Sequence, residues 1–381
     1  MNKRDVLIIW FEAPPKVSKG AFNHLSKHWG NKVYFIANTD FKEERKLTNW
    51  NDGYYGDAEF VQLSEYKDSD EIIENIINQY PNAIHVLSGF NNGIQSRVRK
   101  YLFKEGIKLG LFSERPVTMG SWFEKTIRKI WFQFKYRRAK FMFEPYVSVF
   151  LPLGQCGVNT FASFGWNRKI MYPFMYNPII KVPQYTKSRE VFNHVKFLYV
   201  GRFYYKTKGI NTLMKATRYL KGDWSLDLVG GYGKDANEVI KWVETQENVN
   251  YIGSWSSEDV CKNMTEYDVV IVPSNYDGWN LLPNEAIHAG LATIVTNEAV
   301  SDEMIKISGA GLVVPAGEPR EMAVAMQTAI DNPEKVNQWK SNTLNYVNRI
   351  SEETVGNYLI DILDYTFYNI ETMARPKCPW L

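Results

Sequence analysis

The sequence predicts an α/β protein built from two doubly wound, Rossmann-like domains. Three observations support this fold class. A length of 381 residues fits two domains of ordinary size. Short apolar runs alternate with helix-length segments in both halves, and a proline-containing stretch over residues 172–193 interrupts the alternation. We therefore expect an N-terminal domain over residues 1–180 and a C-terminal domain over residues 194–350, facing each other across a cleft.

The elements follow in order along the chain. Apolar runs in the first half predict strands over Val6–Phe11, Lys32–Ala37, Ala83–Leu87, Ile107–Phe112 and Val147–Leu151. Helical patterns between them cover Ser18–Trp29, Ser69–Tyr80, Asn92–Glu105 and Trp122–Phe141. The second half has strand candidates at Val195–Val200, Ser225–Val229, Val249–Ile252, Val269–Val272, Ala292–Val295 and Gly311–Val314. A last helix is predicted over residues 351–370. Ligands of such sheets lie at the carboxyl ends of the strands.

Composition excludes several classes of protein. Hydrophobic residues make up 45% and charged residues 23%, which excludes wholesale disorder. No stretch approaches 18 uncharged apolar residues, so we expect no membrane-spanning helix, and the N-terminus is interpreted as a strand rather than a signal peptide. The three cysteines are far apart and form no Cys/His cluster. We therefore expect no disulfide framework, no metal site and a cytoplasmic location.

Charge is distributed unevenly. Residues 1–190 include 28 basic and 18 acidic residues, whereas residues 191–381 include 17 basic and 24 acidic residues. The densest basic patch, residues 125–141, interleaves Lys and Arg with aromatic residues. This patch is either a peripheral membrane contact for anionic lipid headgroups or an ordinary helix with an apolar core face and a solvated basic face. No nucleic-acid recognition motif accompanies it, so no nucleic-acid partner is expected.

Two glycine-containing turns follow strands in the second half. Gly201 ends the first strand, Arg202 follows at once, and Lys208 precedes a helix. Two cations at the carboxyl edge of a sheet favour a diphosphate, although a strand-end Arg is often only an ion-pair partner. The next strand ends in VGGYG, where Gly231 either lets backbone approach a ligand or only makes a tight turn. The spacing excludes a P-loop.

The segment VIVPSNYDGWNLLPNEAIHAG carries two carboxylates eight positions apart. Asp277 lies in a loop after a buried strand, and Glu285 lies in the helix that follows. Carboxylates in such places accept hydrogen bonds from sugar and ribose hydroxyls. Backbone amides near Asn280–Leu282, at the helix start, are suited to phosphate oxygens.

Together with YIGSWSSEDV and SDEMIKISGAGLVVPAGEP, these motifs resemble the glycosyltransferase group 1 family, the retaining family 4 enzymes of GT-B fold. The resemblance covers about Val195–Ile330. It implies transfer of a sugar from a nucleotide diphosphate sugar, linked to UDP or GDP, to a hydroxyl acceptor, with retention and without a metal or other cofactor. It also implies that the C-terminal helix packs back on the first domain.

The resemblance also implies roles for individual residues. Arg202 and Lys208 hold the donor diphosphate and stabilise the leaving group, Asp277 faces the donor sugar, and Glu285 binds the ribose hydroxyls. Donor contacts through backbone amides are implied for the loop formed by Gly278, Trp279, Asn280, Leu281 and Leu282. Gly201 and Gly231 are further donor-binding candidates because of their positions at strand ends.

Several positions depart from the family pattern. Asp277 stands where Glu is usual, and Asn280 stands where Gly is usual. Because Asn tolerates left-handed backbone, it is expected to preserve the shape of the loop. Val300 and Ser301 replace two glycines of a GG-x-x-E element whose glutamate corresponds to Glu303.

Four further candidates have two interpretations each. Glu114 lies at the end of the fifth strand. It either orients the donor sugar or an acceptor hydroxyl, or it only forms an ion pair with Arg115 or another basic side chain. Gly20, beside Lys19 in the first strand–helix loop, is a candidate for phosphate contact, with a solvated lysine as the alternative. Trp255 lines either a base pocket or the core. Asp68, in a DxD sequence, is interpreted as a helix cap rather than a metal ligand.

The sequence therefore predicts a retaining glycosyltransferase, with Arg202, Lys208, Asp277 and Glu114 at the catalytic centre. The acceptor is expected to be a lipid-linked or surface-polysaccharide oligosaccharide of capsule or lipopolysaccharide assembly, at the inner face of the membrane. Two alternatives remain: a nucleotide-sugar 2-epimerase on the same fold, and a non-catalytic protein that binds a nucleotide sugar or a partner.

Overall fold

The computed structural model describes residues 4–39, 56–90, 93–117, 119–120, 122–180, 193–368 and 374–381. The chain divides into two compact units. Unit 1 comprises Met1–Ile179 and Ser351–Pro379, and unit 2 comprises Ile180–Ile350 and Trp380–Leu381. Each unit has its own six-stranded parallel sheet with helices, which confirms the predicted α/β architecture of two doubly wound domains.

Unit 1 has the strand order β3-β2-β1-β4-β5-β6. Its strands are β1 (Leu7–Phe11), β2 (Val33–Ala37), β3 (Glu59–Gln62), β4 (Ile84–Ser88), β5 (Leu109–Ser113) and β6 (Val147–Pro152). Before residue 180, the described part of unit 1 has the helices α1 (Lys19–His28), α2 (Ser69–Gln79), α3 (Ile94–Lys104), α4 (Trp122–Phe143) and α5 (Gly154–Ser163). The sequence did not predict β3, since this edge strand reads EFVQ and lacks a continuous apolar run.

The central strands of unit 1 are buried along their whole length. Every residue of β1 and β2 is buried, which leaves no solvent-facing side of the sheet at these strands. Parallel sheets covered by helices on both faces have this continuous apolar pattern rather than an alternating one. The largest buried side chains, such as Trp10, Phe150 and Phe161, fill the space between sheet and helices.

Unit 2 has the strand order β12-β11-β10-β7-β8-β9. Its strands are β7 (Val195–Gly201), β8 (Trp224–Gly230), β9 (Val249–Gly253), β10 (Val269–Val272), β11 (Ala292–Thr296) and β12 (Gly311–Val314). Its helices are α6 (Tyr205–Lys208), α7 (Ile210–Ala216), α8 (Ala236–Val243), α9 (Ser257–Met264), α10 (Leu282–His288), α11 (Asp302–Ser308), α12 (Pro319–Asp331) and α13 (Pro333–Tyr346). Counted within each unit, both sheets have the order 3-2-1-4-5-6, so the strand order reverses between the first and fourth strands.

The last helix, α14 (Glu352–Phe367), lies in unit 1 and packs on α1. Asp364 forms an ion pair with Arg4 at 2.8 Å, and His24 of α1 lies against Gly356, where an added Cβ would come within 2.7 Å of it. Residues 369–370 of the predicted helix lie outside the described residues.

The proline-containing stretch over residues 172–193 is only partly an interdomain connection. Phe174 forms an isolated parallel bridge with Leu153, and Tyr172 and Phe174 are buried. The beginning of the stretch is therefore part of unit 1. Residues 181–192 lie outside the described residues. Among the residues that the structure describes, no helix is long and apolar enough to cross a membrane.

Candidate functional site

The loops that follow the strands of unit 2 all lie at one edge of its sheet, because every strand pair is parallel. Ligands of doubly wound sheets bind at this edge, where the strand order reverses. In unit 2 the reversal lies between β7 and β10. The loops after these two strands carry Arg202, Lys208 and Asp277.

Arg202 directly follows Gly201, the last residue of β7. The hydroxyl of Tyr199 donates to the carbonyl oxygen of Arg202 at 2.8 Å, which fixes the backbone at this position. The side chain of Arg202 is exposed. Within the described part of the chain, its guanidinium makes no hydrogen bond or ion pair, so this cation is available to a ligand.

Lys208 ends the short helix α6, and Gly209 follows in the left-handed conformation with φ of 62°. A Cβ added at Gly209 would lie 2.0 Å from the carbonyl oxygen of Pro273, just after β10. Only glycine permits both this backbone conformation and this close approach. The turn therefore brings Lys208 beside the loop after β10.

Lys208 and Asp277 form an ion pair across the two loops. The Nζ of Lys208 donates to Oδ1 of Asp277 at 2.6 Å, and the side chains are 20% and 15% exposed. The other carboxylate oxygen, Oδ2, accepts a hydrogen bond from Nδ2 of Asn280 at 2.8 Å. Both oxygens of Asp277 are therefore engaged, one of them by a cation.

The role of Asn280 differs from the predicted one. Among the described residues, Val300 is the one residue other than glycine with a positive φ, so Asn280 does not hold a left-handed backbone. Its side chain acts instead: Nδ2 donates to Asp277, and Oδ1 accepts from the backbone N–H of Leu282 at 3.0 Å. Asn280 thus joins the acidic residue to the start of α10.

Backbone hydrogen bonds hold the loop after β10 against its neighbours. The N–H of Asn275 donates to the carbonyl of Thr207 at 2.8 Å, and the N–H of Asp277 donates to the carbonyl of Glu298 at 3.0 Å. The loops after β7, β10 and β11 are consequently connected. This network orients Lys208 and Asp277 before any ligand binds.

Some of the backbone amides predicted to bind phosphate already donate hydrogen bonds within the protein. The N–H of Asn280 donates to the carbonyl of Ala299, and the N–H of Leu282 donates to Asn280. The side chain of Trp279 is buried, and its indole N–H donates to Oδ1 of Asn284 at 2.9 Å. Of the predicted set, Gly278 and Leu281 lie half-buried in the same loop.

Glu285 lies on α10, half-buried, and burial raises the pKa of its carboxyl to about 7. Within the described residues its carboxylate has no hydrogen-bond or salt-bridge partner. A carboxyl with raised pKa and unused acceptors is a frequent sign of a ligand site. Hydroxyl groups of a ligand would supply the missing hydrogen bonds.

Glu303 lies on α11, after the strained Val300. Val300 is buried and has φ of 64°, a conformation that β-branched residues rarely adopt. The indole N–H of Trp380 donates to Oε1 of Glu303 at 3.3 Å, and Trp380 is completely buried. The contact of Trp380 was not predictable from the sequence, because nothing local in RPKCPWL connects it with α11.

The glycines after β8 have a packing reason. A Cβ on Gly231, which has φ of 102°, would lie 1.9 Å from the hydroxyl of Tyr251 on β9. Trp255, after β9, is half-buried, and its ring centroid lies 6.1 Å from that of Tyr267. Gly231 and Trp255 follow adjacent strands of the same sheet.

The two candidates in unit 1 have different surroundings. Glu114 is exposed after β5 and accepts a hydrogen bond from the hydroxyl of Tyr176 at 2.7 Å. The N–H of Gly20 donates to the carbonyl of Asn177 at 2.9 Å, and an added Cβ would lie 2.8 Å from Glu352. Lys19 is buried rather than solvated. Gly20 therefore serves the packing of α1.

A metal ion requires several acidic, histidine or cysteine side chains in a suitable arrangement. Within the described residues, no group of three or more His, Cys, Asp and Glu side chains is arranged to hold a metal ion. Asp68 caps α2, since its side chain accepts hydrogen bonds from the N–H groups of Asp70 and Glu71. This cap confirms the interpretation of the DxD sequence.

Comparison with known families agrees with the geometry. Residues 186–346 match the family model described as Glycosyl transferases group 1. These residues include the loops after all six strands of unit 2. The match confirms the resemblance found in the sequence.

Similar solved structures span nearly the whole chain. A crystal structure of Anabaena HepE with UDP and glucose has a TM-score of 0.69 and 14% identity, covering 94% of this chain and 99% of that chain. The lipopolysaccharide outer core galactosyltransferase WaaB has a TM-score of 0.64 and 15% identity, and the match covers 96% of this chain and 99% of that chain. Sucrose-phosphate synthase from Thermosynechococcus elongatus has a TM-score of 0.68 and 14% identity, and the match covers 96% of this chain and 100% of that chain. These likenesses confirm the GT-B fold.

A curated protein of Klebsiella pneumoniae matches part of the sequence. It is described as an uncharacterized 41.2 kDa protein in cps region and is 28% identical over 121 residues. The match spans 32% of this chain and 32% of that protein.

Proposed function

Because residues 186–346 match the family model of glycosyl transferases group 1, we propose that the protein transfers a sugar from a nucleotide diphosphate sugar to a hydroxyl acceptor. One observation carries the proposal: the unpaired Arg202 guanidinium and the Lys208–Asp277 ion pair lie at the same edge of the sheet, where the strand order reverses. Two cations and an oriented carboxylate there suit a diphosphate and its attached sugar.

The proposed reaction breaks the bond between the anomeric carbon and the diphosphate oxygen and forms a bond from that carbon to the acceptor oxygen. Negative charge grows on the leaving diphosphate. Arg202 and Lys208 stabilise this charge from fixed positions, and so no metal is needed in the proposal. The acceptor proton passes to an oxygen of the leaving phosphate.

We further propose that the anomeric configuration is retained by attack from the face that the diphosphate leaves. Asp277 is a poor covalent nucleophile, because Lys208 and Asn280 occupy both of its carboxylate oxygens. Its proposed role is to orient the sugar and Lys208. Glu285 accepts the ribose hydroxyls, which explains a carboxyl with unused acceptors. Glu114 is proposed to contact the sugar or the acceptor.

The donor and the acceptor are proposed from similar proteins. UDP and glucose are bound to HepE, and WaaB is a galactosyltransferase of the lipopolysaccharide outer core. We therefore favour a UDP-linked hexose over a GDP-linked one. The relative in a cps region favours a lipid-linked or surface-polysaccharide oligosaccharide of capsule or lipopolysaccharide assembly as the acceptor. The reaction is proposed to take place in the cytoplasm, at the inner face of the membrane.

The first test is thermal stability against a panel of nucleoside diphosphates and their sugars. A ligand at about 100 times its Kd adds roughly 2.7 kcal/mol, which shifts Tm by a few degrees. We expect a Tm shift only with nucleotides that carry one particular base, and a smaller shift in the Arg202→Ala variant. Arg320→Ala is the matched control, because Arg320 is exposed on α12 and stacks on Tyr219.

A panel without any shift, at concentrations that cover millimolar binding, would contradict the donor site. A second variant separates an enzyme from a binding protein. Asp277→Glu restores the residue usual in the family, so an active transferase should retain turnover or change its donor preference. A non-catalytic protein would bind nucleotide without turnover in either form, and a 2-epimerase would interconvert donor sugars without an acceptor.

A further inference from the structure

Helix α4 carries apolar side chains on two opposite faces. The inner face packs on the core of unit 1 through Phe132, Tyr136 and Phe143, and Ala139 on the same face is buried. The outer face consists of exposed residues at helical spacing, and Trp131 lies beside it. The members of this outer stripe are Phe123, Ile127, Ile130, Phe134 and Phe141.

The outer stripe is unusually exposed for side chains of its size. Phe141 is 86% exposed, Phe134 is 70% exposed and Ile130 is 67% exposed. A contiguous exposed apolar surface marks an interaction site, whereas single exposed apolar residues need no explanation. The exposed side of α4 therefore carries large apolar side chains in addition to its basic residues.

Basic residues flank the outer stripe. Over residues 122–143 the sequence has seven basic residues and one acidic residue. Arg137 and Arg138 are exposed on either side of the stripe, because successive helical residues are rotated by about 100°. The Nζ of Lys135 lies 4.9 Å from the ring centroid of Trp131, so cationic and aromatic groups are interleaved.

We infer that the outer stripe of α4 inserts into the surface of an anionic lipid bilayer, with the helix lying in the membrane plane. Exposed aromatic and aliphatic side chains enter the acyl boundary, while Lys and Arg extend to acidic headgroups. The helix of 22 residues gives a contact about 33 Å long.

The charge of α4 argues against a second copy of the chain as the occupant. A two-fold contact through this helix would place the same basic residues opposite one another. Like charges that face each other oppose association. An anionic bilayer instead offers both the apolar layer and the opposite charge, with a favourable contribution of about 1 kcal/mol from each basic residue near its surface.

This inference deepens the proposed function, since a membrane-bound enzyme would meet a lipid-linked acceptor at the surface. It also stands apart from catalysis, because lipid binding is measured without donor or acceptor. The probes are phosphatidylcholine vesicles with and without phosphatidylglycerol, and the measurement is flotation of the whole chain. Nucleotide-induced Tm shifts are recorded for every variant.

Three double variants sharpen the experiment. Ile130→Asn with Phe134→Asn removes the centre of the outer stripe, and Arg137→Gln with Arg138→Gln removes two flanking charges. The matched control replaces Val324 and Leu344 of unit 2 by Asn, since these are also exposed apolar residues on helices, 63% and 51% exposed. All replaced side chains are exposed, so folding is expected to be unchanged.

We expect the wild type to float with anionic vesicles and to be released by salt. The Arg double variant should lower the partition coefficient about 30-fold, and the apolar double variant about 10- to 100-fold. The control should bind like the wild type. In all variants the nucleotide-induced Tm shift should persist.

Three results would overturn the inference: no binding to anionic vesicles, equal binding to neutral vesicles, or α4 variants that bind like the wild type. A dimer that the apolar double variant dissociates would identify a second copy as the occupant and would also overturn it. Vesicle binding without any nucleotide-induced shift would contradict the proposed function alone.

Discussion

The two units share one strand order but differ at the point where that order reverses. In unit 1, Glu12 follows β1 and accepts hydrogen bonds from Nδ2 of Asn38 at 2.8 Å and from the N–H of Ile94 at 3.3 Å. Its carboxylate therefore caps the first turn of α3. In unit 2, the corresponding edge has the exposed Arg202 and the Lys208–Asp277 pair.

The comparison shows that the same fold gives both sheets a carboxyl edge suited to a ligand. The side chains at that edge decide whether it is open to a ligand or filled by the protein itself. Helix N-termini attract anions. In unit 1 that position is filled by the chain's own carboxylate, and a Cβ on Gly93 would lie 2.2 Å from Oε2 of Glu12. In unit 2 cations are presented instead. We therefore expect mutation of Lys208 to affect turnover and mutation of Glu12 to affect stability.

Lys208→Ala should have the largest effect. Removal of one fixed group that stabilises transition-state charge costs on the order of 10²–10³ in rate. The measurement is kcat with donor and acceptor, with Lys206→Ala as the control, because Lys206 is exposed on the same short helix. Equal losses in both variants would contradict a specific role for Lys208.

Glu285→Gln should change how stability depends on pH. The pKa of Glu285 is about 7 in the folded chain because of burial, against 4.5 in the unfolded chain. As pH rises from 4.5 to 7, the unfolded chain loses this proton first, so the wild type loses stability. The loss is on the order of 3 kcal/mol and is complete above pH 7.

Glutamine does not ionise, so Glu285→Gln should be more stable than the wild type above pH 7 and similar to it below pH 4.5. The measurement is urea unfolding of both proteins across this pH range, with Glu238→Gln as the control on α8 of the same unit. A stability difference that does not vary with pH would show that the wild-type carboxyl titrates normally.

Glu12→Ala should destabilise unit 1 by about 1–2 kcal/mol, because a helix cap and the hydrogen bond of Asn38 are lost together. Urea unfolding measures the effect, and Glu65→Ala, at an exposed position of unit 1, is the control. Nucleotide-induced Tm shifts should persist. Loss of nucleotide binding in Glu12→Ala would contradict a purely stabilising role for the unit 1 residue Glu12.

Asn280→Gly should have the smallest effect. It introduces the residue usual in the family but removes the hydrogen bonds to Asp277 and to the N–H of Leu282. We expect a loss of about 1 kcal/mol in the free energy of unfolding. Asn248→Gly, at an exposed loop position before β9, is the control. Higher stability of Asn280→Gly would mean that backbone strain, not side-chain bonding, dominates at this position.

Much of the fold was predictable from local patterns. The apolar run Val269–Val272 is a strand with the predicted bounds, because buried parallel strands are continuously apolar. Gly311–Val314 is also a strand with the predicted bounds, although it is a mostly half-buried edge strand. The edge strand β3 was missed, since its sequence EFVQ has polar residues at both ends and no continuous apolar run. The motif order likewise located Arg202, Lys208 and Asp277 at one edge of one sheet.

The sequence by itself thus determined the elements, the fold class and the residues brought to the edge of unit 2, because spacing along the chain encodes periodicity and strand ends. Tertiary structure decided which partner each residue takes. Asp277 pairs with Lys208 across 69 positions, and Trp380 reaches Glu303 across 77.

Tertiary structure also decided which apolar face of α4 is buried. The sequence pattern of residues 125–141 left open a lipid contact or an ordinary helix with one apolar core face. Packing in unit 1 covers Phe132 and Tyr136 and leaves Ile130 and Phe134 exposed, because a helix buries only the side that contacts its neighbours.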